Sequence, residues 1–132
     1  MIYLLDTNIC VHFFRGKFDL LSKFEEVGIE NCAISEITLA ELVYGVEKSQ
    51  HPTKNHKLIE ELIELVAVLP IYSAIYMYGK EKSLLSALGT IIGDFDLLIA
   101  STAVENELIM VTENVSEFER IEGIKIQNWI NR

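Results

Sequence analysis

The chain has 132 residues, half of them hydrophobic, a formal net charge of −9 and a mean hydropathy of +0.27; that is enough apolar material for one packed domain and too much for a disordered chain. No apolar run approaches the roughly 18 residues of a membrane span, and MIYLLD meets an acid too early, with no basic start, to be a signal peptide, so a soluble cytoplasmic protein is expected. The acidic balance excludes a protein that grips nucleic acid through a broad basic surface. It leaves an enzyme that meets a polyanion through a bound cation and a few local Lys or Arg residues, or a protein that docks a basic partner.

Taken in chain order, Ile2 to Leu5 is a short apolar run ended by Asp6 and reads as a buried strand. Asp6-Thr7-Asn8 can cap a short helix from Ile9 to Phe14, stopped at Gly16. Phe18, Leu21, Phe24 and Val27 recur at helical spacing, with Gly28 beyond them, which predicts a second helix over 18–27. Cys32-Ala33-Ile34 is a short strand, and Ser35 then caps a helix to about Lys48. On that helix Leu39, Leu42, Val43 and Val46 share the apolar face, while Thr38, Glu41, Gly45 and Lys48 form a polar stripe farthest from it, where solvation is the default for Glu41 taken singly.

Ser49 to Asn55, with His51-Pro52, reads as a turn, and Lys57 to Val66 as a helix. Leu69-Pro70-Ile71 follows as a strand or its connection, then a long helix over 73–88, where Tyr72, Tyr76 and Tyr78 are expected to pack inward rather than face a partner. Gly89 to Gly93 breaks that helix, and Asp94 or Asp96 opens the next, over 97–106. Leu108 to Thr112 is the strongest strand, Asn114 to Glu117 matches a capping box, and Ile124 to Ile126 makes a last strand. Strands alternating with helices predict a single α/β domain over residues 1–132, a mostly parallel sheet of about four to five strands with helices on both faces. Cys10 and Cys32 have no metal or redox spacing and are expected to be small buried hydrophobes.

In open α/β sheets, ligands bind beyond the carboxyl ends of the strands, and acids gather at those ends here. Asp6 ends the first strand, Glu113-Asn114 follows the strongest one, Glu41 lies on the helix after the Cys32 strand, and Asp94 and Asp96 start a helix. Singly, each has an ordinary explanation as a cap or a solvated side chain. Together they would repel and raise one another's pKa unless a cation neutralised them. Oxygen-only donors favour a hard ion, Mg2+ or Mn2+, and such an ion at carboxylates points to phosphate chemistry.

These residues also carry a family resemblance. Leu5-Asp6-Thr7-Asn8, Thr38 to Gly45, Ile92 to Ala100, Val111 to Asn114, Glu117-Phe118 and Asn128-Trp129 resemble, in order and over nearly the whole chain, a PIN domain, and more narrowly the VapC toxins of type II toxin–antitoxin pairs. The resemblance implies a metal-dependent endoribonuclease that inhibits translation or growth, a homodimer, and a VapB-like antitoxin that covers the toxin in a hetero-oligomer. It implies that Asp6, Glu41 and Asp96 match the three main acidic positions, with Asp6 and Asp96 on Mg2+ or Mn2+ and Glu41 orienting or deprotonating the attacking water. Thr7, and Asn8 beside it, would support the first acid. The fourth acidic position falls at Asn114, an amide; either it serves as a neutral oxygen ligand, or Glu113 or Asp94 supplies the missing charge.

Lys48, His51, Lys54, His56 and Lys57 cluster about Pro52, and Arg15 and Lys17 follow the first helix; each group is either an RNA-backbone contact or a solvated turn. His12 reads as a packed histidine rather than a general base. A receiver domain would need an acidic pair after the first strand, and a dehalogenase-like phosphatase a second Asp where Asn8 stands. A catalytically silent PIN-fold binding module is the competing reading, with Asn114 as its argument.

Overall fold

The computed structural model spans residues 1–132 and places five strands in one wholly parallel sheet. These are β1 (Tyr3–Leu5), β2 (Cys32–Ser35), β3 (Ala67–Leu69), β4 (Ile109–Val111) and β5 (Lys125–Gln127), in spatial order β3-β2-β1-β4-β5. Because β1 pairs with β2 on one side and β4 on the other, the chain builds outward to β3 and then returns to β1's opposite edge. The switch point of the sheet therefore lies between the ends of β1 and β4, the crevice where open α/β sheets bind ligands.

Side chains alternate across a strand, and here the alternation fills two cores. Leu5, Ile34 and Val111 point to one face, where they meet α1 (Thr7–Phe14), α2 (Leu20–Val27), α3 (Glu36–Glu47) and α4 (Pro52–Leu65) through Ile9, Phe24, Leu42 and Leu62. Leu4, Ala33 and Met110 point to the other, against α5 (Ile75–Ala87), α6 (Asp94–Glu105) and α7 (Val115–Phe118) through Leu85, Leu97, Ile99 and Phe118. Each fully buried Leu, Ile or Phe contributes about 1.5–3 kcal/mol. Trp129, just past β5, closes the first core edge-on to Tyr3, 5.1 Å between ring centroids. Both cysteines are free and buried, and burial pushes the Cys10 thiol up and the Cys32 thiol up to about 11.

Several expectations shift. Phe18 and Asp19 have φ of 60° and 52°, outside the helical region, so α2 starts only at Leu20. Pro52 is the first residue of α4, a position its fixed φ suits, so the helix begins five residues before Lys57 and takes Lys54 with it. Tyr72 and Tyr76 do not pack inward; they are 83% and 92% exposed. The solvated polar stripe of α3 is the largest correction. That helix packs against α1, α4 and α6, so Thr38 is fully buried while Val43 and Tyr44 face solvent. No helix is long and apolar enough to cross a membrane.

Candidate active site

Asp6 stands at the switch point because it is the residue after β1. Its backbone N–H continues the ladder to the Val111 carbonyl at 2.9 Å, which fixes the side chain beside the end of β4. There it is 3% exposed. The Thr7 N–H donates to Oδ1 at 2.8 Å, the start of α1, and the Thr112 hydroxyl donates to Oδ2 at 2.8 Å. Burial nevertheless raises the Asp6 pKa; the two hydrogen bonds oppose that, and the charges of Glu41 and Glu117 add to it.

Glu41 reaches the same place from α3. The Thr7 hydroxyl donates to its Oε1 at 2.7 Å, and the buried Thr38 hydroxyl lies 3.1 Å from Thr7 Oγ1. The stripe expected to face water is thus the stripe that faces the cleft. From the first turn of α6, half-buried Asp96 completes a group of three. Its carboxyl is pushed up to about 7, first by burial, then by the charges of Asp6, Glu117 and Glu41. No Lys, Arg or His forms an ion pair with any of these carboxylates.

Glu117 is a site residue that sequence pattern alone did not single out. Asn114 and Glu117 form no capping box, for the Asn114 side chain makes no capping bond. Instead the Asn114 N–H donates to Thr112 Oγ1 at 3.0 Å, its side chain is exposed, and Phe118 is fully buried beneath α7. With Phe118 anchored, Glu117 faces Asp96 across the cleft. A carboxylate thus lies near Asp96 three residues beyond the amide. The signal for it is the pairing of Glu117 with an apolar Phe118 on a helix too short to have a solvated face of its own.

The remaining candidates separate. Asn8 sits beside Asp6, its Nδ2 at 3.4 Å from Asp6 Oδ2, with its Oδ1 buried and unpartnered. Asp94 turns away to Lys82 Nζ at 2.7 Å and the Tyr78 hydroxyl at 2.9 Å, which hold its pKa below the usual range. Glu113 also turns away, to His12 Nε2 at 2.7 Å and Arg132 at 2.9 Å, with its pKa likewise lowered by both. His12 packs edge-on to Phe18. Arg15 and Lys48 line a groove of about 410 Å3 with Glu41, Lys54 and Lys57 line a separate depression, and Lys17 is exposed outside both.

The donor set suits a hard divalent ion: carboxylate oxygens with no counter-charge, an orphaned amide oxygen at Asn8, and an Asp96 carboxyl whose pKa burial and neighbouring charge raise. No three acids, His or Cys stand close enough to grip one ion together. An ion here would rest on one or two carboxylates and keep water for its other positions, the habit of Mg2+.

Comparison with known proteins agrees with this geometry. The chain belongs to the PIN-domain family, whose model matches residues 3–124. It is 37% identical over 132 residues to the Ribonuclease VapC2 of Haemophilus influenzae, covering 97% of this chain and 98% of that protein. It is 36% identical over 128 residues to the tRNA(fMet)-specific endonuclease VapC of Salmonella typhimurium, covering 96% and 97%. Its fold is similar to that in the DNA-bound VapBC structure from Salmonella typhimurium, with a TM-score of 0.90, 36% identity and 98% of each chain covered.

Proposed function

We propose that this protein is a VapC-type toxin, a divalent-metal-dependent endoribonuclease that acts in the cytoplasm and is held in check by a VapB-like antitoxin. One observation carries the reading. Four carboxylates, Asp6, Glu41, Asp96 and Glu117, meet at the switch point without a cation, while the neighbouring acids Asp94 and Glu113 are each neutralised. Relatives named ribonucleases, and a solved toxin–antitoxin neighbour, support RNA as substrate and an antitoxin as partner. The exposed Tyr72, Ile75, Tyr76, Leu88 and Ile91 around α5 support a homodimer.

The chain's own groups divide the work. Asp6 and Asp96 would hold Mg2+ or Mn2+, with Glu117 adding charge opposite Asp96 and Asn8 offering its free oxygen. The ion, when bound, offsets charge on the phosphate and lowers the pKa of water. Thr7 fixes Glu41 by the 2.7 Å bond, so that this carboxylate accepts the proton of the water attacking the phosphodiester. Thr112 holds Asp6 in place from β4. Asn114, exposed at the cleft edge, contributes through its backbone rather than as a ligand. Incubating a labelled single-stranded RNA with wild type and an identically purified Asp6→Asn variant, with and without Mn2+, tests this. Metal-dependent cleavage by wild type alone is expected; equal cleavage by both would refute the site, and none by either would favour a silent binding module.

A further inference from the structure

Four side chains from three distant stretches of the chain close a ring beside the acid cleft, and the chemistry above uses none of them. Glu113, in the turn after β4, accepts from His12 Nε2 on α1 at 2.7 Å and from Arg132, beyond β5, at 2.9 Å. The Arg132 guanidinium lies 5.0 Å over the ring of Phe18, and Phe18 meets His12 edge-on at 4.8 Å, which brings the ring back to α1. His12 first and then Arg132 lower the Glu113 pKa, so the carboxylate is charged and Nε2 carries the proton between them. Hydrogen bonds of that kind are the stronger ones.

Glu113 stands between two residues that fix Asp6. The buried Thr112 donates its hydroxyl to Asp6 Oδ2 at 2.8 Å, and the Asn114 N–H donates to that same Thr112 oxygen at 3.0 Å. A hydroxyl has one proton to give; with Asn114 on a lone pair, the proton is aimed at the acid. The shape of the 112–114 turn therefore governs how Asp6 is held. Asn114 is exposed and its side chain caps nothing, so Glu113 is what ties the outer part of the turn to another element. On α1, His12 follows Asn8 by one helical turn and shares its face. Asn8 Nδ2 is 3.4 Å from Asp6 Oδ2 and 3.5 Å from Thr112 Oγ1. Two rungs thus join α1 to the end of β4, Asn8 on the inside and His12–Glu113 on the outside.

Resting on the metal-dependent reading above, we propose that Glu113 is a positioning residue: clamped by His12 and Arg132, it holds the turn through which Thr112 orients Asp6. It ligates nothing itself and acts through Thr112. Exposed ion pairs contribute little to a fold. This one differs because His12 and Glu113 are half-buried and join residues 101 positions apart. Partners that orient the ligands of a metal set its affinity, and the affinity is where the clamp should be felt.

The test is a Mn2+ titration of the full chain, followed by the paramagnetic signal of unbound ion, beside the Mn2+ concentration giving half-maximal RNA cleavage. Glu113→Ala should weaken Mn2+ binding roughly tenfold, the lower end of the range for such partners. Glu113→Gln still accepts from His12 Nε2 and should recover most of that loss. Both variants remove the same charge, so equal weakening would overturn the clamp in favour of a plain electrostatic effect. The paired variant His12→Phe, Arg132→Ala has the opposite sign. It leaves Glu113 charged and removes a cation, so electrostatics alone would tighten Mn2+ binding, whereas loss of the clamp loosens it. That pair also decides the matter if circular dichroism shows Glu113→Ala unfolded. Wild-type affinity in every variant would overturn the clamp as well. The wild-type protein separates the two ideas: if it binds Mn2+ and cuts RNA, only the clamp is at stake, and if it does neither, the metal-dependent reading falls and the role of Glu113 with it.

Discussion

Asp94 and Asp96 lie in the same first turn of α6, yet one carboxyl is held below the usual range and the other is pushed up to about 7. Glu113 and Glu117, either side of the start of α7, differ in the partners they are given: Glu113 on the rim has His12 and Arg132, whereas Glu117 in the cleft has no cation of the chain. Helix dipoles do not explain the contrast, since both aspartates share one helix terminus. What differs is the partner supplied. On the rim, each acid is matched by a cation of the same chain. In the cleft the chain withholds one, and accepts repulsion between buried carboxylates that an ordinary core would not retain. Such withheld charge is what the proposed divalent ion would neutralise.

Perturbing the two regions should give unequal results. Asp6→Asn should lower cleavage by about a thousandfold or more, on the scale of losing an essential group, while circular dichroism shows an intact fold. Glu117→Gln should cost roughly 10–100-fold in metal affinity or activity, the range for groups that tune a metal site, read as the Mn2+ concentration giving half-maximal cleavage. An unchanged Mn2+ dependence would remove Glu117 from the site.

The third effect is on stability and depends on pH. Because the folded pKa of Asp96 is raised, the metal-free fold keeps a proton that the unfolded chain releases. Stability should therefore be greatest below the ordinary Asp pKa and fall as pH rises toward about 7. An added divalent ion should raise Tm by more at pH 8 than at pH 5, and Asp96→Asn should flatten both trends in a thermal scan. A Tm shift equal at both pH values would dissociate the ion from Asp96. Smallest of all, Asp94→Asn removes only an exposed pair, and cleavage should stay within roughly a factor of three of wild type.

The legible parts of the molecule were those where one local rule decides. An apolar run ended by an acid is enough to place Asp6 after β1, and Leu108 to Thr112 could hardly be anything but a central strand. Parallel order and the switch point are beyond local pattern, because they depend on which strand β1 takes as its second neighbour. The reading of α3 failed for a definite reason. A helical wheel assumes one buried side, whereas this helix is flanked by three others, so its most polar stripe became the wall of the cleft. Glu117 was hidden by a pattern with two meanings. Asn-x-x-Glu reads as a cap until the anchoring of Phe118 turns the glutamate toward α6.

One consequence of the strand order concerns timing during synthesis. The cleft draws on residues 6, 41, 96 and 117, and its central acid is attached to a strand whose second neighbour is β4, more than a hundred residues downstream. A ribosome that has made three quarters of this chain has made Asp6, Glu41 and Asp96 but not the strand that seats the first of them, nor Thr112 to orient it. The nascent chain is thus chemically blunt until almost all of it has been made. A nuclease that could injure the machinery translating it is safest when its blade is assembled from both ends.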